Sequence, residues 1–206
     1  MKRTIPYLLR YSNRAKRLRL EVVPGEVRVI APPGISVSLI DEFVRSRENW
    51  LADKLSAFAS VAPIRLPVFS EDCPELTVLG EKVFLKECFP STKNFERTVV
   101  KWLDDKLMTF LTETLKKYAQ PGLVPSRIRL GNARTRWGSC SSKGVVMINR
   151  KLVYAPPDVV EYVLVHELVH LRHRNHSRLF WNTVEHCLGD VKPQKRWLRL
   201  QGAYLL

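Results

Sequence analysis

The sequence predicts an α+β fold, with strands gathered in the N-terminal part and helices dominating the C-terminal part. Three observations point there. Residues 5–31 alternate apolar and polar with Leu18, Leu20 and Val22 before Pro24-Gly25 and Val27 and Val29 after it, a hairpin pattern. Val159, Val160, Val163, Leu164, Leu168 and Leu171 recur at helical spacing, giving one face a core to bury into. Gly and Pro punctuate the chain between such segments, with neither an internal repeat nor a low-complexity tract.

Taken in order, Ser36 or Ser38 is placed to cap a helix whose apolar positions are Leu39, Phe43, Trp50 and Leu51, continuing towards Leu55. Residues 61–75 read as a Pro-containing connector, and Thr77 to Phe89 as a second hairpin around Gly80-Glu81. A long helix is expected from about Ser91 to Tyr118, broken by Pro121-Gly122. Strands over 127–130 and 145–149 then lead to a helix that opens after Pro156-Pro157. Asp158 and Glu161 there have the spacing of a capping box. The basic run 171–175 reads as that helix's last turn, and Asn175 as a left-handed terminator. Ser177 caps a further helix running to Leu188 and closed by Gly189. Two domains are expected, 1–90 as a β-hairpin and helix unit and 91–206 as a second, helix-rich domain.

The chemistry is concentrated in Val165-His166-Glu167-Leu168-Val169-His170, followed six residues later by His176. A four-residue helical step advances about 6 Å and returns side chains to one face, so His166 and His170 can aim at one divalent ion. Glu167 lies beside them, placed to take a proton from a metal-bound water rather than to bind the metal. His176 falls at the bend between two helices, where a third ligand can fold back over the first two. His173, His186, Glu185 and Asp190 are its rivals on spacing alone. Four of the chain's five histidines lie between 166 and 176, a clustering that favours a metal over a chance pair on a buried stripe.

The segments Arg136-Trp137-Gly138-Ser139-Cys140-Ser141, Ile148-Asn149-Arg150-Lys151-Leu152, Ala155-Pro156-Pro157, HELVHLRHRNHS and Phe180-Trp181 closely resemble the YgjP-like metallopeptidase family, which is similar to the SprT and WLM domains among the zincins. The basic hairpin and the Ala31-Pro32-Pro33-Gly34 turn extend the resemblance into the N-terminal half. It implies a zincin-like fold, a small twisted sheet over an active-site helix. It further implies one zinc ion on His166, His170 and His176, with Glu167 as base. The strand 144–149 would be the rim along which an extended peptide lies. Where the metzincin branch has a glycine three residues after the second ligand, this chain has His173, and no methionine follows Met147.

Two other functions fit parts of the pattern. YgjP-like proteins have also been linked to nucleoside-triphosphate pyrophosphatase activity, but the chain has no Gly-rich phosphate loop and no carboxylate cluster for magnesium. A nucleic-acid-binding protein with structural zinc would use the formal charge of +14, concentrated in Arg14–Arg19 and Lys192–Arg199. The expected partners are therefore a peptide or protein substrate and, through the basic surface, nucleic acid or a nucleotide. Arg136 is a candidate oxyanion partner. The four cysteines, at 73, 88, 140 and 187, form no CxxC pair, as in reduced cytoplasmic proteins. Cys140 is placed in a tight turn. No apolar run approaches the roughly 20 residues of a membrane span, so a cytoplasmic location without membrane contact is expected.

Overall fold

The computed structural model describes residues 5–64, 75–89 and 94–206. Residues 65–74 of the expected connector, Cys73 among them, and the expected helix start at Ser91 lie outside the described residues. The chain divides into two compact units, one within residues 1–64 and one within 65–206. It is mixed α and β, and no helix among the described residues is long and apolar enough to cross a membrane.

In the first unit, β1 (Leu8–Tyr11), β2 (Arg19–Val23) and β3 (Glu26–Ala31) form a sheet of order β1-β3-β2. The hairpin β2–β3 turns at Pro24-Gly25, where Gly25 takes a φ of 76°. Such a value carries a steric cost for any residue with a Cβ. Val27, Val29 and Ala31 alternate onto one face of β3 and meet Ile40, Val44 and Leu51 in a small core. The expected single helix is two, α1 (Val37–Arg45) and α2 (Glu48–Ala59), with a break at Ser46-Arg47. Each helix turns its own face inward: Leu39 and Trp50 face out, 56% and 42% exposed, while Ile40, Val44 and Leu51 go in.

The second unit opens with a hairpin, β4 (Leu76–Val78) and β5 (Glu81–Val83). The short helix α3 (Leu85–Cys88) follows. Leu76, Val78 and Leu85 belong to the large core of this unit. Helix α4 (Phe95–Tyr118) buries Val99, Leu103, Leu107, Leu111 and Thr114, one residue per turn along a single stripe. Three strands follow: β6 (Arg127–Gly131), β7 (Gly138–Cys140) and β8 (Val145–Asn149). The strand expected to offer an open rim, 144–149, is instead the middle one. It pairs parallel with β6 and antiparallel with β7, so its backbone groups are taken up on both sides and the edges are β6 and β7.

A 3-10 turn at Arg150–Tyr154 leads to α5 (Pro157–Val169). The sequence suggests an amphipathic helix, but nine of its thirteen residues are buried and it runs through the interior. No side chain caps it: Asp158 accepts from Gln194 at 2.9 Å, and Glu161 accepts from Tyr118 at 2.9 Å, so the expected capping box is absent. The helix also stops earlier than expected, at Val169. Residues 171–175 are therefore not a last turn, and Asn175 is not left-handed. Their arginines tie loops down instead: Arg172 donates to Pro121 O, and Arg174 to Ser141 O and Ser142 O. Helix α6 (Arg178–Leu188) is capped by Ser177, whose Oγ accepts from Phe180 N, and is closed by Gly189. The basic run 192–199 forms the helix α7 (Lys192–Leu200), which the sequence reading leaves unassigned.

Candidate metal centre

Helix α5 carries His166 and Glu167 near its C-terminal end and stops with His170 in the capping position. The chain then bends and brings His176 back just before α6. One ring nitrogen from each of His166, His170 and His176 lies within 4.8 Å of the other two, the only such group of potential metal ligands among the described residues. The Nε2 atoms of His166 and His176 are 3.1 Å apart. Two nitrogens on a tetrahedral zinc, each at about 2.0–2.1 Å, would be roughly 3.3 Å apart, so the pair has the spacing such an ion asks for.

What orients each ring follows from the bend. His170 Nδ1 donates to the backbone carbonyl of His173 at 3.0 Å, which fixes the tautomer and leaves Nε2 as the lone-pair atom. That contact exists because the helix ends at Val169. His173 itself turns away, its Nε2 3.3 Å from Thr183 Oγ1. Phe180, fully buried, sits against all three imidazoles with ring centroids 4.6–4.9 Å away. Trp181 stacks on His176, and Lys195 Nζ lies 3.5 Å from the centre of the Trp181 ring. The rivals stay out of the cluster: His186 and Glu185 are exposed on α6, and Asp190 accepts from Lys192 N. Cys140, half-buried in β7, is no part of it either, and burial pushes its thiol up despite nearby Arg174.

Burial, with neighbouring His170 and His176, pushes the His166 imidazole down to about 3, so it is neutral at ordinary pH. A neutral imidazole is the ligand form, and neutral nitrogen donors suit zinc. His166 Nδ1 is buried with no partner among the described residues, so nothing there stabilises a charged ring. His170 is lowered too, by burial first. The donor set therefore fits a zinc ion.

Glu167 is 6% exposed and lies under β7. Burial raises its carboxyl to about 7, against the opposing pull of Arg136. Room for it comes from Gly138: a Cβ there would lie 2.6 Å from Glu167 Cγ and 2.7 Å from Oε1. The stretch before β7 is anchored by Asn149, completely buried, whose Nδ2 donates to Ala133 O at 2.7 Å and Arg136 O at 3.0 Å. The sequence reading does not single out Gly138 or Asn149. A glycine inside a strand, as a mark of close backbone approach, was the available signal for the first.

Comparison with known proteins adds one finding. The model of a family described as YgjP-like, metallopeptidase domain, matches residues 16–88 and 89–201. No curated protein matches the chain.

Proposed function

The chain belongs to the YgjP-like family of metallopeptidase domains, and from that premise we propose that it is a zinc-dependent peptidase. In this reading His166, His170 and His176 hold one ion and Glu167 is the general base. The observation that carries it is the meeting of three imidazole nitrogens within 4.8 Å, two of them on half-buried rings that burial keeps neutral, beside a buried carboxyl. A zincin-like architecture is part of the proposal, supported by a small sheet whose middle strand leads through the 3-10 turn into the ligand-bearing helix.

Held by His166, His170 and His176, zinc would supply Lewis acidity and would lower the pKa of a water towards about 7. The protein's own groups do the rest. Glu167, with its carboxyl near 7, can take a proton at neutral pH and return it to the leaving amine. Gly138 keeps the space in which that carboxyl sits. Arg136, exposed but close enough to act on Glu167, is the candidate partner for a developing oxyanion. The substrate backbone is assigned to the open edge of β7, next to Glu167, because an edge strand offers unpaired donors and acceptors to an extended peptide.

The test sets a casein-type protein beside a nucleoside triphosphate, each with and without a chelator. The expected outcome is chelator-sensitive cleavage of the protein and an intact triphosphate. Hydrolysis of the triphosphate with the protein untouched would replace this reading with a nucleotide pyrophosphohydrolase.

A further inference from the structure

The first unit carries a surface that the metal chemistry does not use. Two adjoining concavities share Arg17 and Arg19 in their walls. One, of about 420 Å³, is lined by those arginines with Arg47, Phe43 and Trp50. The other, of about 350 Å³, adds Arg14 and Lys16. No carboxylate lines either one. Arg19 is paired with Glu21 at 3.2 Å, while Arg14, Lys16, Arg17 and Arg47 have no ion pair among the described residues.

The aromatic rings decide what kind of anion suits this groove. Trp50 is 42% exposed, and Lys54 Nζ lies 5.7 Å from its ring centre. Phe43 is half-buried beside it in the same wall. An exposed indole flanked by guanidinium groups is a platform on which a flat, electron-rich ring can stack while the cations take up phosphates. Four of the five lining cations are arginines, whose planar fork matches phosphate oxygens in pairs. An acidic peptide would use the charges but leave the rings idle, and a duplex would hide its bases from them. We infer that this groove binds single-stranded nucleic acid, with Trp50 and Phe43 stacking on bases and Arg14, Lys16, Arg17 and Arg47 following the backbone.

The experiment is fluorescence anisotropy of the full chain with labelled single-stranded DNA and RNA of about 12 nucleotides, within the usual span of one such groove. Duplex DNA and poly-glutamate serve as competitors, and a chelator arm separates this site from the metal centre. Binding to either single strand, unaffected by chelator and poorly competed by duplex or poly-glutamate, is expected. Trp50→Ala should weaken it about tenfold and Trp50→Phe far less, the pattern of lost stacking. Arg17→Ala with Arg47→Ala should reduce the slope of log affinity against log salt by about 0.7 per cation removed. Trp50 and these arginines lie on the surface, so unchanged melting curves should accompany the losses. Absence of binding at low salt, loss of binding with chelator, or equal affinity in Trp50→Ala would each overturn the assignment. Poly-glutamate displacing the strand at matched charge would do so as well.

Discussion

Replacing Gly138 by alanine tests the packing of the proposed catalytic carboxyl without touching any of the proposed metal ligands. The added Cβ would sit 2.6 Å from Glu167 Cγ and 2.9 Å from Cδ, against ordinary carbon contacts of roughly 3.5–4.0 Å. Something must therefore give by about 1 Å. Strand β7 is poorly placed to move, because Gly138 pairs with Ile148 and the adjacent Trp137 O accepts from Asn149 N at 2.8 Å. The displacement falls on Glu167. A reacting group misplaced by about 1 Å costs on the order of 10²-fold in rate, or about 2.7 kcal/mol of barrier. Release of a quenched fluorescent peptide would give kcat, with zinc content and melting temperature measured on the same preparation. The expected result is a kcat lower by about two orders of magnitude with zinc retained near one per chain. A kcat within a factor of two of wild type would show that Gly138 does not set the position of Glu167.

Three further outcomes follow from the geometry. His176→Ala should lose most bound zinc after dialysis against a weak chelator, whereas His186→Ala should keep it. His173→Ala should also keep it, because it is the backbone carbonyl of that residue that holds His170; loss of zinc in His173→Ala would refute this. Asn149→Ala strips Ala133 O and Arg136 O of a buried donor and should cost roughly 3 kcal/mol or more, read as a lowered Tm; an unchanged Tm counts against its anchoring role. Burial and the bond to Glu161 raise the Tyr118 phenol from 10.0 to about 12. A folded value above the unfolded one gives stability that is complete below pH 10 and lost as pH climbs through about 12. Tyr118→Phe should therefore show a shallower fall of Tm over that interval, and an equal fall would count against the bond.

The parts legible in the sequence are those in which spacing becomes geometry through a local rule. Helical periodicity puts His166 and His170 on one face, and His176 reads as lying at the bend between two helices, where the structure brings it beside them although the bend begins at His170 rather than at Asn175. The hairpins around Pro24-Gly25 and Gly80, and the Ser177 and Gly189 caps, are legible for the same reason. What the sequence hides is non-local. Asp158 and Glu161 have capping-box spacing, yet Gln194 and Tyr118, far along the chain, engage them instead. The place of β8 in the middle of its sheet depends on β6 and β7 together, and three residues of β7 are too few to show alternation. Leu39 and Trp50 look like core positions by residue type, whereas the faces that pack on β3 carry Ile40, Val44 and Leu51 and leave those two outward. Gly138 is invisible as a site residue because its importance lies in what it makes room for.

The proposed mechanism divides the labour on one helix and its bend, with three histidines for the ion and Glu167 for the proton. Glu167→Gln separates the two functions while preserving shape. Elemental analysis and peptidase assay of this variant beside wild type form the most direct test. About one zinc per chain is expected in both proteins, with activity in the variant down by at least about 10²–10⁴-fold. Full activity in Glu167→Gln, or no zinc in the wild-type protein, would contradict it.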